Sequence, residues 1–451
     1  MFWSDRYDAP PLTPPLGTDV TADLTIIGGG FTGLWAAIQA LEEQPGLKVV
    51  VVESDRCGFG ASSRNGGFCI SSLTHGVENG LSHWPDDAEL LVRLGEENLD
   101  EIEASIERYG ITADFRRAAE IFVATAPWHL ETLEGSLKAH LSVGDDMELL
   151  DAAEMQARVH SPTYLGSLIR HSGSSLVDPA RLCWGLSAAA EKLGATVHEH
   201  SPVTAVTHDG PTLKVVTPGG TIASERVLMA TNAYPGPVRR PRRYVIPVYD
   251  HVLMTEPLSA SQLVSIGWEE REGIGDVSNQ FHYYRLSEDD RILWGGYNVT
   301  YHFNNGLDPQ HDQSDRTHRA LSEHFFETFP QLEGLRFTHR WGGAIGTTTQ
   351  FSATWGTAHE GRLAWVAGYT GLGVAASRFG ARVALDLVFG QATERTELEM
   401  VRTKPFPFPP EPFRLAAVKL TQSAIKRADR RQGRRGLWLG LLDRFGVGFD
   451  A

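Results

Sequence analysis

Cysteine is scarce: the 451-residue sequence has three, Cys57, Cys69 and Cys183, with no CxxC spacing among them. That excludes a disulfide framework and a cysteine zinc site, leaves no metal to expect, and points to a reducing compartment. Lysine is almost as rare, seven of 41 basic residues, and the formal charge is −15. A general nucleic-acid binder needs a basic footprint, so no nucleic-acid partner is expected. No run reaches the ~18 apolar residues of a membrane span. Residues 1–17, MFWSDRYDAPPLTPPLG, carry acids and prolines where a secretory signal would carry an apolar core. The default expectation is a cytoplasmic protein. Its length allows two or three domains around a large core.

What is present is concentrated in residues 21–67. A nearly all-apolar strand at 21–27 runs into Gly28-Gly29-Gly30-Phe31-Thr32-Gly33, which matches G-x-G-x-x-G. Gly28 allows a tight turn, Gly30 admits a pyrophosphate to the backbone, and Gly33 lets the following helix pack on the strand. That helix, 31–44, carries Leu34, Ala37, Ile38 and Leu41 on one face and stops at Pro45-Gly46. Its first turn, with Phe31 and Thr32, offers N–H groups and a positive dipole end to phosphates. A second strand, 48–53, ends in Glu53, 20 residues beyond Gly33. There a carboxylate can accept hydrogen bonds from ribose hydroxyls and would repel a 2′-phosphate, which leaves FAD or NAD rather than NADP. The small-residue loop GFGASSRNGGF follows at 58–68. Ala61, Ser62, Ser63, Asn65, Gly66 and Gly67 can bring hydroxyls and backbone N–H groups to phosphates, with Arg64 as counter-charge.

The rest of the chain reads as an interleaved architecture. Residues 1–20, with prolines in PPLTPPL, form an extended arm. Residues 86–160 are largely helical, with a strand at 118–126 and a helix at 128–141. Asp178 caps a helix with Pro179 at its first position, and Gly194 ends it. Short strands are expected at 196–199, 203–207, 213–217 and 221–223, then a buried strand at 226–231. From 244 to 301 the alternation has period two, giving an antiparallel sheet with a hairpin near 287–290. A helix at 315–329 precedes HRWGGAIG, 339–346, which is expected to return toward the first domain. After a last strand at 363–368, Gly371-Leu372-Gly373 opens a helix to 389. A proline-rich link at 403–413 leads to a basic tail. In it Arg414, Lys419, Lys426, Arg427, Arg430, Arg431, Arg434 and Arg435 face one acid, Asp429. Leu415, Val418, Gln422, Ile425 and Ala428 recur at helical spacing, followed by the cluster Leu437, Trp438, Leu441, Leu442 and Phe445. Docking on the protein itself is the expected use; peripheral contact with an anionic membrane is the alternative.

The ordered set of Gly28–Gly33, Glu53, GASSRNGG, VDPARL at 177–182, MATNAY at 229–234, IPVYDHVLMTEPL, YYRLSEDDRILWGG, RWGG at 340–343 and AGYTGLGVAASRFGARVALDLV resembles the D-amino-acid-oxidase-like FAD-dependent oxidoreductases. The likeness covers roughly residues 20–392 and is strongest to the branch around γ-glutamylputrescine and glycine/sarcosine oxidases. It implies an α/β fold: a Rossmann-like FAD-binding domain (20–85, 165–235, 340–395) interleaved with an antiparallel-sheet substrate domain (86–164, 236–339), then the link and tail (396–451). It implies FAD rather than NAD. The AMP half would lie on the N-terminal glycines and Glu53, the GASSRNGG loop would pass the pyrophosphate, and Val203 would present backbone to the adenine. Thr231 and Gly343, within two of the matched motifs, join the expected contacts. Gly371, Leu372, Gly373 and Val374 would aim a helix N-terminus at the flavin N1–C2=O edge, where negative charge develops.

The implied reaction is hydride removal from a carbon next to nitrogen in an amine or amino acid. The imine is then hydrolysed, and oxygen or another acceptor reoxidises the flavin. Candidates on the substrate side are Tyr249, His251, His282, Tyr284 and Arg285, with His251, Tyr284 and Arg285 favoured. Arg285 is expected to clamp an anionic group bidentately. Alternation puts Tyr283 and Arg285 on one face, His282 and Tyr284 on the other. Two departures from the family pattern matter. The loop has Ser63-Arg64-Asn65 where some relatives tether flavin through His, and no cysteine follows Cys183, so FAD is expected to be non-covalent. No lysine lies between Lys214 and Lys404, so an oxygen-activating cation would have to be His or Arg, and oxidase versus dehydrogenase stays open. The alternative enzyme reading is oxidation of a hydroxyacid or other C–OH substrate with His251 as base; the non-enzymatic one is a flavin-bound accessory module.

Overall fold

The computed structural model describes residues 1–444, 446 and 447. Two eight-stranded sheets dominate it. At the centre of the first, Val20–Ile27 runs parallel between Gly220–Met229 and Val49–Val52, and Thr196–His198 extends the sheet beyond Val49–Val52. Leu363–Ala367 pairs in parallel with the last part of Gly220–Met229, and Thr354–Ala358 hangs antiparallel on its far side. Strands covered on both faces need no alternation, and all four valines of Val49–Val52 are buried. One face carries the helices Phe31–Glu43, Ala88–Tyr109, Pro179–Leu193 and Gly373–Phe389, packed through residues such as Leu34, Leu99, Leu186 and Phe379. On the other face Ile27, Val50 and Val52 join a second core with Leu213, Val215, Ile222 and Trp365. The hairpin Ala205–Asp209 and Thr212–Thr217 continues the sheet from Gly220–Met229.

The second sheet runs Phe337–Thr347, Ile246–Thr255, Ile292–Gly296, His282–Leu286, Gly273–Asp276, Glu120–Ala124, Gly166–Arg170 and Met147–Asp151. All its pairs are antiparallel except Gly273–Asp276 with Glu120–Ala124. On one face Tyr284, Trp294, Phe325 and Phe329 form a core with the helix Asp315–Thr328. The opposite face looks toward the glycine turn of the first sheet across a cavity. A small sheet of Phe68–Ile70, Ser174–Leu176 and Arg116–Arg117 lies between.

Several boundaries differ from the sequence expectation. Gly166–Arg170 and Phe337–Thr347 belong to the second sheet, so divisions at 165 and 340 fall beside or within its strands. HRWGGAIG does not return to the first domain as a separate segment: its backbone pairs residue by residue with Ile246–Thr255. The Ala88–Tyr109 helix lies with the dinucleotide-side core, because Leu91, Leu94, Leu99 and Ile102 pack there. The strand expected in two pieces at 221–223 and 226–231 is one, since Glu225 interrupts the apolar pattern without breaking the ladder to Val20–Ile27. The arm is extended through its prolines, but it starts with a short helix, Phe2–Asp5, whose Phe2 and Trp3 are buried beside Met254, Leu293 and Trp341.

The tail docks on the body. Its helix, Phe413–Arg430, is followed by Leu437–Arg444. Gln422 Nε2 donates to the Val299 carbonyl (2.8 Å), and Lys426 Nζ donates to Asn298 Oδ1 (2.9 Å). Asp429 accepts from the Asn279 backbone and side chain, while Trp438 Nε1 donates to Thr421 Oγ1. Of the apolar cluster, Phe445 lies outside the described residues. No helix among the described residues is long and apolar enough to cross a membrane. Each such hydrogen bond contributes about 1 kcal/mol net, so truncation after Pro412 should lower the Tm by differential scanning calorimetry. An unchanged Tm, with binding to anionic vesicles lost, would instead assign the tail to a membrane surface.

Candidate functional site

A cavity of about 1440 Å³ lies between the two sheets. That exceeds the roughly 300–1,000 Å³ of a single small-ligand pocket and leaves room for a dinucleotide and a substrate together. Its first wall is the glycine turn. Gly28 has φ +114°, and a Cβ there would stand 2.8 Å from the Ala230 carbonyl oxygen. A Cβ on Gly30 would meet Ser62 Oγ at 2.8 Å, so a side chain would fill the cradle beside the helix start. Gly33 serves packing: its Cβ would lie 1.9 Å from the Gly28 carbonyl oxygen. The Phe31 N–H donates to Ser62 Oγ, and Gly30, the N-cap, caps nothing with a side chain. Glu53 lines the same wall. Its Oε2 accepts from the Gly29 N–H (2.7 Å) and its Oε1 from the Asp55 N–H (3.0 Å), which fix the carboxylate while leaving lone pairs for a ribose hydroxyl.

The second wall is the loop 58–67, and it is held from outside. Asn65 closes it internally, donating to the Ala61 and Ser62 carbonyls and accepting the Gly67 N–H. Trp341 Nε1 donates to the Arg64 carbonyl, Trp3 Nε1 to the Asn65 carbonyl, and Arg285 Nη1 to the Gly67 carbonyl, each at 2.9 Å. Arg64 is not a free counter-charge for phosphate, because its guanidinium pairs with Asp312 and reaches the Gly342 carbonyl.

The third wall is the start of the Gly373–Phe389 helix. Thr370 and Gly371 have positive φ (+50° and +97°), and Leu372 caps the helix without a side-chain bond, so its N-terminal end opens on the cavity. Tyr369 Oη lies 2.9 Å from Thr32 Oγ1, tying this helix start to that of Phe31–Glu43. Two positive helix ends therefore converge on one space, the arrangement an anionic, electron-accepting ligand requires.

Gly28, Gly30, Phe31, Thr32, Glu53, Ala61, Ser62, Arg64, Asn65, Gly66, Val203, Thr231, Gly343, Gly371, Leu372, Gly373 and Val374 all line this cavity. Gly33, Ser63 and Gly67 do not. Gly33 packs on Gly28, Ser63 is buried behind Gly58, and a Cβ on Gly67 would strike the Val177 carbonyl at 2.2 Å.

The three favoured catalytic residues are placed elsewhere. Arg285 is 3% exposed and donates to the Gly67 and Val177 carbonyls, so it cannot clamp a substrate anion. Burial lowers its pKa to about 10. Tyr284 faces the far core, its hydroxyl 2.6 Å from that of Tyr164 and its ring stacked on Trp294. His251 is 1% exposed, with Nε2 at 3.0 Å from the His311 carbonyl, and burial depresses its pKa. Of the other candidates, Tyr249 is buried with its backbone bridging Thr300, and His282 pairs with Asp276.

On the cavity side of this sheet Tyr283 Oη donates to Asp250 Oδ2 at 2.7 Å. Burial pushes the Asp250 carboxyl upward and the Tyr283 hydroxyl well above its ordinary range. Asp250 was legible: Ile246, Val248, Asp250 and Val252 share one face at period two, and an acid in an apolar stripe is the signal. The tail brings Lys426 to the cavity-lining Asn298, but Lys426 is not itself among the lining residues.

The family described as DAO, FAD dependent oxidoreductase, matches residues 23–387. Gamma-glutamylputrescine oxidoreductase of Escherichia coli is 32% identical over 396 residues, covering 87% of this chain and 89% of that protein. Among solved structures, glycine oxidase from Geobacillus kaustophilus superposes with TM-score 0.72 at 20% identity, over 85% of this chain and 99% of that one. L-proline dehydrogenase from P. horikoshii gives TM-score 0.70 at 18% identity, over 85% and 96%. The cavity fits FAD in its own right: a glycine cradle that a Cβ would fill, a fixed carboxylate, and two converging helix ends. Replacing Gly33 with Ala should then destabilise the fold by about 1–3 kcal/mol through overpacking and lower FAD content, read by thermal melting and flavin absorbance. Normal melting with full FAD would show that the turn tolerates the methyl group.

Proposed function

The chain belongs to the DAO family of FAD dependent oxidoreductases, and we propose that it oxidises a C–N bond of an amine or amino acid, with FAD held non-covalently. Bound FAD supplies the hydride acceptor. The protein's share is to bind, orient and exclude water. The observation that carries the reading is the facing of the two walls. Helix ends and Glu53 hold the cofactor side, while the opposite wall presents Ile246, Val248, Val252 and the Tyr283–Asp250 pair. An apolar wall favours the neutral form of an amine over its ammonium, and the neutral nitrogen's lone pair assists loss of hydride from the adjacent carbon. No proton need be taken from carbon or oxygen, so the absence of a triad from this wall is consistent with the reaction.

Oxidation of a C–OH bond would need a base at the reacting carbon. His251, the base that reading relied on, is sealed against the His311 carbonyl on the far side of its strand. The names of the E. coli relative and of glycine oxidase point the same way. Non-covalent binding is supported by the cavity lining, which includes no cysteine among the described residues, and by a loop 61–67 without histidine. Cys57, Cys69 and Cys183 are unpaired and buried, consistent with a cytoplasmic setting. Oxygen or another acceptor completes the cycle.

Two measurements test the proposal. Acid precipitation should release FAD into the supernatant; yellow colour left in the pellet would overturn non-covalent binding. Under anaerobic conditions a panel of amines and amino acids should bleach the flavin. Bleaching by hydroxyacids alone would overturn C–N oxidation.

A further inference from the structure

Along Glu120–Ala124 the side chains of Glu120 and Phe122 face the cavity, while Ile121 and Val123 enter the far core. Glu120 is only 7% exposed, yet no hydrogen bond or ion pair engages its carboxylate, although it lines open space. Its surroundings are charged and otherwise fully engaged. Its strand partner Arg170 donates to Asp145, Glu96 and Ser71, all at 3.0 Å. His140 lies 2.7 Å from Asp145 and 3.5 Å from Glu78. Against burial, these two carboxylates hold His140 protonated, with its pKa raised to about 9. The neighbourhood thus sets two cations against Glu78, Glu96, Asp145 and Glu120, and Glu120 is the carboxylate left without a partner. An unpaired buried carboxylate is costly unless something completes it.

Glu120–Ala124 lies two strands from His282–Leu286 in the sheet order, which carries Tyr283. The register sets Tyr283 level with Phe122 through Gly275, so at 4.7–4.9 Å per strand and about 3.4 Å per residue Glu120 lies roughly 12 Å from Tyr283, with the Asp250 strand two further on. We propose that Glu120 is the acceptor of an ammonium subsite and that the substrate carries a second cationic nitrogen, distant from the C–N bond that is oxidised. The inference rests on the amine-oxidation reading and names its substrate class: long diamines and aminoalkyl compounds rather than simple monoamines. Burial raises the Glu120 pKa to about 7, with Arg170 and His140 opposing and Asp145 adding to the rise. Below that pH the carboxyl holds a proton that a cation must displace, so affinity for the second nitrogen falls as pH drops through about 7.

The test compares straight-chain alkylamines with α,ω-diaminoalkanes of the same length on FAD-loaded wild type, Glu120→Gln and Glu120→Asp. A charge-assisted contact corresponds to a preference for diamines of roughly 10- to 150-fold in kcat/KM. That preference should collapse in Glu120→Gln, survive in part in Glu120→Asp, and weaken below pH ~7 only where the carboxylate remains. Diamines should also raise the Tm of the wild type more than monoamines do, and not that of Glu120→Gln. Equal rates and Tm shifts for both series, or a preference that persists in Glu120→Gln, would overturn the subsite. If no amine bleaches the flavin but diamines still raise the wild-type Tm through Glu120, the subsite stands and the reaction assignment falls.

Discussion

The structure depends on one buried cation. The Arg285 guanidinium sits beneath the loop 58–67, donates to the carbonyls of Gly67 and Val177, and lies 5.5 Å over the Trp3 ring. Taking a charge out of water is expensive, and here carbonyl dipoles and an aromatic face replace the hydration shell. Arg285 belongs to the second sheet, Gly67 to the loop that passes the cofactor space, and Val177 to the entry of a first-domain helix. One side chain therefore fixes three segments against each other. Trp341 and Trp3 extend the grip to the Arg64 and Asn65 carbonyls. The loop's position, and with it the second wall of the cavity, is set from the substrate side.

The same arrangement explains how little acid–base machinery the site shows. The cofactor side is built from backbone N–H groups at helix starts and one constrained carboxylate. The sheet opposite contributes apolar residues, the Tyr283–Asp250 pair and Glu120, and the C-terminal tail adds Val418, Thr421, Gln422 and Ile425 to the enclosure. That tail lies beyond residues 23–387, which the family model matches. Excluding water strengthens every charge inside, which is why an unpartnered Glu120 matters so much.

What the sequence made legible was local. The glycine turn, its helix and Glu53 act over some thirty residues, and their spacing states the geometry the turn requires. The Gly371–Val374 helix start was equally clear, because Gly371 supplies a positive φ just before Gly373 begins the helix. What stayed hidden was long-range. Arg285 meets Gly67 across 218 positions of chain, and nothing near either residue says whether the arginine turns to substrate or to backbone. Alternation correctly separated Tyr283 and Arg285 from His282 and Tyr284, yet could not say which face, or which residue on it, lines the cavity. The N-terminal aromatics were hidden by the prolines after them. HRWGGAIG was misplaced because a strand that pairs at the edge of one sheet can resemble a link to another.

The claim that Arg285 is a staple for the cofactor loop rather than a substrate clamp can be decided by measuring FAD affinity. Arg285→Met keeps much of the side-chain bulk and removes the donors. The account predicts weaker FAD binding by flavin-fluorescence titration and a lower Tm, with a loss of about 1.5–3 kcal/mol for a charged hydrogen bond. An unchanged FAD Kd and Tm, with only the substrate KM raised, would contradict it and return Arg285 to the substrate.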